Sequence, residues 1–331
     1  MTPDGGAPVA GVTYGVDIGG TKVLGLALGA ADEVAAEARV PTPKGRRSIV
    51  GSHVAAAVAE VVAQLDAALG DDTATLGVGA PGMVDRAGRL CFAPNLPQAH
   101  GVDWNELVGG RLPGRQVVIE NDANLAVLAE HRLGAARGYD DAVMVTLGTG
   151  IGGGIVIGGR VQVGSAGFAG EIGHMVVDPN GPPCPCGRRG CWERFASGAG
   201  LGLLAREAAL AGRLDEVVRR AGGDAESVRG EDVSAAAADG DPEARQVIEA
   251  VGSWIGFGLA NLACVLDPSC FVLGGGVVRA GDLLIDAART TFGALIEGGA
   301  RRPQAVIVPA AFGERSGAVG AALAARQGGL G

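Results

Sequence analysis

The chain reads as an α/β protein that uses one unit twice, and three glycine turns at the ends of apolar strands carry that reading. Val12 to Asp17 is a short buried strand, Gly19-Gly20-Thr21-Lys22 a turn, and Val23 to Leu28 a returning strand. Some 130 residues later, Ala142 to Leu147, Gly148-Thr149-Gly150 and Gly154 to Ile157 repeat the pattern. A third strand, Phe271-Val272-Leu273, runs into Gly274-Gly275-Gly276 and a helix from about Ala280. Strand, glycine turn and helix N-terminus together suit a phosphate or a ribose.

The remaining elements follow in order. Glu33 to Val40 supplies a third strand. Arg46 to Leu69 carries Val54, Val58, Val61, Leu65 and Leu69 at spacings of three and four, an amphipathic helix. Leu76 to Ala80 and Gln116 to Glu120 are buried strands, the latter feeding a helix from Asp122 to about Gly134.

Composition excludes several classes. The 331 residues are 47% apolar, which supports two cores, but 59 are Gly, too many for a helical bundle and without collagen's three-residue period. A net charge of −9 argues against broad nucleic-acid binding. Met1 to Gly11 has neither a basic region nor an apolar run, so it reads as a flexible start and not a signal peptide. The most apolar segment, Leu259 to Val278, is broken by Asp267-Pro268 and the glycine triplet, so no membrane span is expected. Six cysteines then fit a reducing cytoplasm.

Three of those cysteines stand apart. His174, in Gly170-Glu171-Ile172-Gly173-His174, is followed ten residues on by Cys184-Pro185-Cys186-Gly187-Arg188-Arg189-Gly190-Cys191-Trp192-Glu193. Such spacing lets a short loop wrap a tetrahedral zinc ion held by His174, Cys184, Cys186 and Cys191. The alternatives are a disulfide or four unlinked side chains, and three thiols cannot all pair with one another. Four protein ligands leave no position for a catalytic water, so such a zinc is structural. Glu171 and Glu193 flank the first and last ligands and mark a polar pocket.

Five segments in this order, Asp17-Ile18-Gly19-Gly20-Thr21-Lys22, Glu120-Asn121-Asp122-Ala123-Asn124, Leu147 to Gly154, the Gly-Glu-Ile-Gly-His stretch and the cysteine cluster, resemble the ROK family of repressors, uncharacterised reading frames and sugar kinases. Within it the likeness is to bacterial, actinobacterial-type glucokinases, and it covers about Val12 to Ala325. It implies an actin-like, hexokinase-type (ribonuclease H-like) α/β fold, a duplicated two-domain arrangement with an interdomain cleft and a zinc loop. The expected small domain is 12–121 with the C-terminal helix at about 315–327; the large one is 122–314 and carries the zinc loop, 174–191.

The resemblance also implies roles. Asp17 would face Mg²⁺, with Gly19, Gly20, Thr21 and Lys22 around the phosphates of ATP. Gly148, Thr149, Gly150 and Gly152 would hold the other side of the triphosphate, and Gly274, Gly275 and Gly276 the nucleoside end. Asp122 would be the general base; an isolated Asn-Asp pair would otherwise read as a helix cap, with Asn121 the nearer. Asn121, Asp122, Glu171, His174 and Glu193 would bind the sugar, with Asn95 and Gly82 as weaker candidates. His174 would hold metal on one ring nitrogen and donate from the other.

The implied reaction is transfer of the γ-phosphoryl of ATP to the 6-hydroxyl of glucose. Mannose, fructose, N-acetylmannosamine or N-acetylglucosamine could replace glucose, and polyphosphate could replace ATP. Bulky Trp192 is expected to crowd an N-acetyl group. The family suggests a homodimer or homotetramer. A repressor would need a helix-turn-helix before the first turn, where only sixteen residues precede Asp17.

Overall fold

The computed structural model describes residues 11–43, 50–93 and 101–330. Positions 1–10 and Asn95 lie outside them. The chain begins with β1 (Thr13–Ile18), β2 (Lys22–Leu28), β3 (Val34–Pro41), α1 (Val50–Leu69), β4 (Thr75–Ala80), β5 (Met83–Val84), β6 (Leu90–Phe92), α2 (Trp104–Gly109), β7 (Val117–Asn121) and α3 (Asp122–Arg132). A second run follows: β8 (Ala142–Leu147), β9 (Ile151–Ile157), β10 (Arg160–Val161), α4 (Glu193–Ala196), α5 (Gly198–Leu210), α6 (Asp215–Arg220), α7 (Gly230–Ala238) and α8 (Pro242–Leu266). It ends with β11 (Cys270–Gly274), α9 (Asp282–Leu295), β12 (Val306–Pro309) and α10 (Ser316–Gln327).

Two five-stranded sheets share one plan. The first has the order β3-β2-β1-β4-β7 and the second β10-β9-β8-β11-β12. In each, the first strand of the run has its hairpin neighbour on one side and a parallel strand on the other: β4 beside β1, β11 beside β8. The repeated strand–turn–strand unit of the sequence is therefore a repeated topology.

The chain forms two compact units. One takes the described residues of Met1–Gly138, Gly154–Gly170 and Ala311–Gly331; the other takes Tyr139–Gly153 and Glu171–Ala310. The boundary expected at residue 122 is displaced, because α3 belongs to the first unit. The cause is packing on α10: Leu125, Leu128 and Ala129 share a core with Ala318, Val319, Ala321 and Ala322. The approach is close enough that a methyl group on Gly320 would stand 1.7 Å from the Leu125 carbonyl oxygen. Gly15 on β1 and Gly77 on β4 admit the same helix, each leaving 1.9 Å between a hypothetical Cβ and an α10 carbonyl. Glycine is required at such contacts because any Cβ would collide with backbone.

In the second unit, α5 to α8 fill a stretch that the sequence reading left without elements. Helix α8 starts on an Asp241 cap followed by Pro242 and stops at Asp267, whose φ of 46° is left-handed. By length and composition Gly51–Leu69 and Pro242–Leu266 could cross a membrane. Each instead sets an apolar face into a core: Val54, Val58, Val61 and Leu65 in one unit, Ile248, Val251, Ile255 and Leu259 in the other.

Candidate active site

Two carboxylates dominate the first unit. Asp17 sits near the end of β1, and Asp122 opens α3 directly after β7. Strand β4 separates β1 from β7, with Asp17 opposite Gly79 and Gly79 opposite Glu120. A methyl group on Gly79 would lie 3.3 Å from Asp17 Oδ1 and 3.5 Å from Asp122 Cα, so this glycine keeps the space between them open. From the other side, Gly317 of α10 would place a Cβ 2.7 Å from Asp17 Cγ. Burial, then the Asp122 charge, push Asp17 up to about 7, while Lys22 pulls it down. Burial pushes Asp122 up to about 6, against backbone N–H bonds that favour its ionised form. Neighbouring carboxylates that resist ionisation form a donor set that a divalent cation satisfies.

The glycine turn after β1 is closed by the Gly19 N–H donating to the Lys22 carbonyl at 3.0 Å. Thr42, just past β3, holds it further, its hydroxyl donating to Gly19 O at 2.6 Å. Gly20 and Thr21 stay exposed. Lys22 is paired with Glu314, which also meets Arg39 at 3.8 Å. Arg39 and Arg315 in turn both pair with Glu37.

Asn121 is the N-cap of α3, its Oδ1 accepting from Ala123 N at 2.9 Å and Asn124 N at 3.0 Å. Its Nδ2 donates to Gly82 O at 2.9 Å. Its oxygen is thus committed to the cap and one amide proton to Gly82, which leaves one amide proton. Gly82 has φ 93° and acts through its backbone, as the turn that anchors Asn121.

In the second unit, Glu171 precedes a single 3₁₀ turn, Ile172–His174, whose Gly173 lies close against Ile151 O. His174 Nδ1 lies 3.7 Å from Cys184 Sγ, and Cys186 Sγ lies 3.6 Å from Cys191 Sγ. The donor atoms of His174, Cys184, Cys186 and Cys191 all fall within 4.8 Å of one another. Tetrahedral bonds of about 2.0–2.3 Å place donors roughly 3.3–3.8 Å apart, so the four side chains fit one metal ion. All six cysteines are free thiols, which sets the disulfide alternative aside. Burial and the Glu193 carboxylate, 3.1 Å away, push the Cys184 thiol well up. Burial opposes ionisation of Cys186 too, but hydrogen bonds from the Arg188 backbone and side chain hold its thiol below the ordinary value. Glu193 is buried and also 3.7 Å from His174 Nδ1.

The second glycine turn is tied to this cluster. Gly198 N–H donates to Gly148 O at 2.8 Å and Ala199 N–H to Thr149 O at 3.2 Å, so the segment after α4 holds the turn. Gly148 and Thr149 are exposed, whereas Gly152 lies within β9. The third turn follows β11: Gly275 packs against β8, where its Cβ would meet Leu147 O at 2.5 Å, Gly276–Ala280 is a 3₁₀ turn, and α9 begins at Asp282, close to the expected start.

A family model described as "ROK family" matches residues 13–328. The chain belongs to the ROK family. The glucokinase of Streptomyces coelicolor is 39% identical over 96% of this chain and 98% of its own. A ROK glucokinase structure from Streptomyces griseus, in complex with glucose and AMPPNP, is also 39% identical, with a TM-score of 0.86 over 96% of this chain and all of that one. An N-acetylmannosamine kinase of Escherichia coli O157:H7 is 32% identical over 80% of this chain and 83% of its own.

Three features of this ROK chain lie outside the residues that the sequence singled out. Gly79 and Gly317 shape the space around Asp17. Glu130, fully buried on α3, accepts from Ala135 N, Ala311 N, Phe312 N and the Ser316 hydroxyl at 2.8–3.0 Å, and so fastens α3 to the start of α10. A lone Glu among apolar helical residues was the available signal. Trp192, expected to crowd the sugar, is instead fully buried against α8.

Proposed function

We propose that the chain is an ATP-dependent glucokinase that transfers the γ-phosphoryl group to the 6-hydroxyl of glucose. The observation that carries this reading is Asp122: a carboxylate at the start of α3, raised to about 6, with Asp17 across Gly79. A base is most useful when its proton affinity lies near working pH. Asp122 takes the hydroxyl proton onto its carboxylate as that oxygen attacks the γ-phosphorus, and the bond from that phosphorus to the β–γ bridging oxygen breaks to release ADP. Asp17 holds Mg²⁺, which when bound offsets charge on the phosphates. The turn at Gly19, Gly20, Thr21 and Lys22 and the turn at Gly148, Thr149 and Gly150 hold phosphate oxygens, with Gly152 behind the latter and Gly274 to Gly276 toward the nucleoside.

Glu171, His174 and Glu193 read ring hydroxyls, with His174 donating from Nε2 while Nδ1 faces the metal. The remaining amide proton of Asn121 points to a further hydroxyl contact. Zinc on His174, Cys184, Cys186 and Cys191 is structural and fixes the loop that carries these groups. Six free thiols suit a reducing compartment, and we place the enzyme in the cytoplasm as a homodimer or homotetramer.

Glucose is preferred because the relatives at 39% identity are glucokinases, while the N-acetylmannosamine kinase stands at 32%. The burial of Trp192 removes the steric argument against N-acetyl sugars, so the assay must decide. With ATP and Mg²⁺, kcat/KM is measured for glucose, mannose, fructose, N-acetylglucosamine and N-acetylmannosamine. Glucose is expected to lead, with mannose weaker. An N-acetyl sugar ahead of glucose would overturn the assignment and leave the kinase reading standing; no turnover of any sugar would overturn both.

A further inference from the structure

Helix α8 carries three interior glycines that need explaining, since glycine weakens a helix interior relative to alanine. Two are accounted for by α9: a Cβ on Gly252 would stand 2.5 Å from Leu284 O, and one on Gly256 2.3 Å from Ala288 O. Gly258 faces elsewhere. Its Cβ would stand 2.0 Å from Cε2 and 2.2 Å from Cζ2 of Trp192. The same indole donates its Nε1–H to the Trp254 carbonyl at 2.7 Å. Residues 254 and 258 are one turn apart, so one turn of α8 offers both an acceptor and a missing side chain.

Trp192 stands between Cys191 and Glu193. Its own N–H donates to Met175 O at 2.8 Å, beside His174. Phe195, three residues on, stacks on Trp254 with ring centroids 4.3 Å apart. Glu193 begins α4, only four residues long and too short to fix its own orientation. The direction of the Glu193 side chain must come from its neighbours.

We propose that Trp192 and Gly258 are positioning residues: the indole docks in a slot on α8 and thereby aims Glu193 at the sugar and Cys191 at the metal. The sugar half rests on the kinase reading above; the metal half does not. Gly258→Ala removes the slot and leaves Asp122 and the first glycine turn untouched. The expected result is a cooperatively folded variant whose KM for glucose rises at least about tenfold, with kcat and KM for ATP within about threefold. Zinc release to a chelator should speed up about tenfold or more, and tryptophan emission should shift to the red.

The deciding control is Trp192→Leu with and without Gly258→Ala. With the indole gone, the alanine should change neither the glucose KM nor zinc release by more than about twofold, the mark of direct contact in a double-mutant cycle. An equal penalty in both backgrounds overturns the proposal, as do wild-type KM and zinc release in Gly258→Ala. Should Gly258→Ala fail to fold, Trp192→Phe is read alone. It keeps most of the ring and loses the N–H, so a raised glucose KM with kcat retained supports the slot, and an unchanged KM and zinc release overturn it. If the wild type phosphorylates no glucose, the glucose assignment fails, and chelator release still tests the slot.

Discussion

Asp17 and Asp122 come together across Gly79, whose missing side chain leaves one shared space for the first carboxylate and the start of α3. The charge of Asp122 makes Asp17 harder to ionise. Such a pair is strained when both groups are charged, and a divalent cation or a transferred proton relieves it. One arrangement thus prepares a metal ligand and a base.

Asp122→Asn should keep the fold and most of the glucose affinity and lower kcat by roughly 10²–10⁴, the usual range for losing a general base. In the wild type, log(kcat/KM) should fall toward acid pH below about 6, where the Asp122 carboxylate becomes protonated. Steady-state kinetics across pH 5–8 measure both. A variant with near-normal kcat would move the base to another residue.

Asp17 makes a prediction about stability. Its proton is held more tightly in the folded chain, near 7 against an ordinary 3.8. The protonated form therefore stabilises the metal-free fold fully below about pH 4, and that contribution is lost as pH rises through about 7. Asp17→Asn should raise the Tm of metal-free protein above pH 7 by about 2–4 °C or more, the shift expected for ~1 kcal/mol in a domain-sized protein. It should also abolish the stabilisation that Mg²⁺ gives the wild type. Thermal melts at pH 5 and pH 8, with and without Mg²⁺, test this; an equal change at both pH values would refute it.

Asp122 was legible because an apolar strand ending in Asn-Asp announces both a cap and a strand-end carboxylate, and the structure bears out the cap at Asn121. The four metal-ligand candidates were legible because their chemistry is local, confined to one loop. Gly79 and Gly317 were not, since what faces a glycine depends on which distant element packs there. Trp192 misled for the same reason: its partner lies sixty-six residues on, inside α8. Among the missed helices α5 to α8, α5 and α7 are alanine- and glycine-rich stretches with weak periodicity, and α6 has only six residues.

Lys22, expected at the phosphates, is paired with Glu314 while both remain partly exposed, at 31% and 41%. Exposed pairs contribute about 0–1 kcal/mol and weaken with salt. Releasing Lys22 toward a triphosphate should therefore cost no more than that. Glu314→Gln should lower KM for ATP by up to about fivefold at low ionic strength, with the advantage shrinking as salt is raised. Kinetics at two salt concentrations check this. An unchanged KM for ATP at low salt would mean that Lys22 does not reach the nucleotide.

The metal cluster yields the last prediction. One zinc per chain is expected by elemental analysis, because the four donor atoms lie within 4.8 Å of one another and match zinc's preferred ligand types. Cys186→Ser removes the thiol that Arg188 already biases toward its ionised form, and should lose the metal. The loop from Pro183 to Arg189 is otherwise closed by a single bridge and a few backbone hydrogen bonds, so metal loss should loosen it. His174 and Glu193 would then lose their common reference, and the glucose KM should rise by about tenfold or more, while ATP affinity, supported from the first glycine turn, changes less. Chelator treatment of the wild type should reproduce the same split, and zinc alone should reverse it. Active protein free of zinc would overturn the assignment of the metal. A zinc-free variant that keeps its glucose affinity would instead show that Trp192 in its slot holds Glu193 without help from the loop.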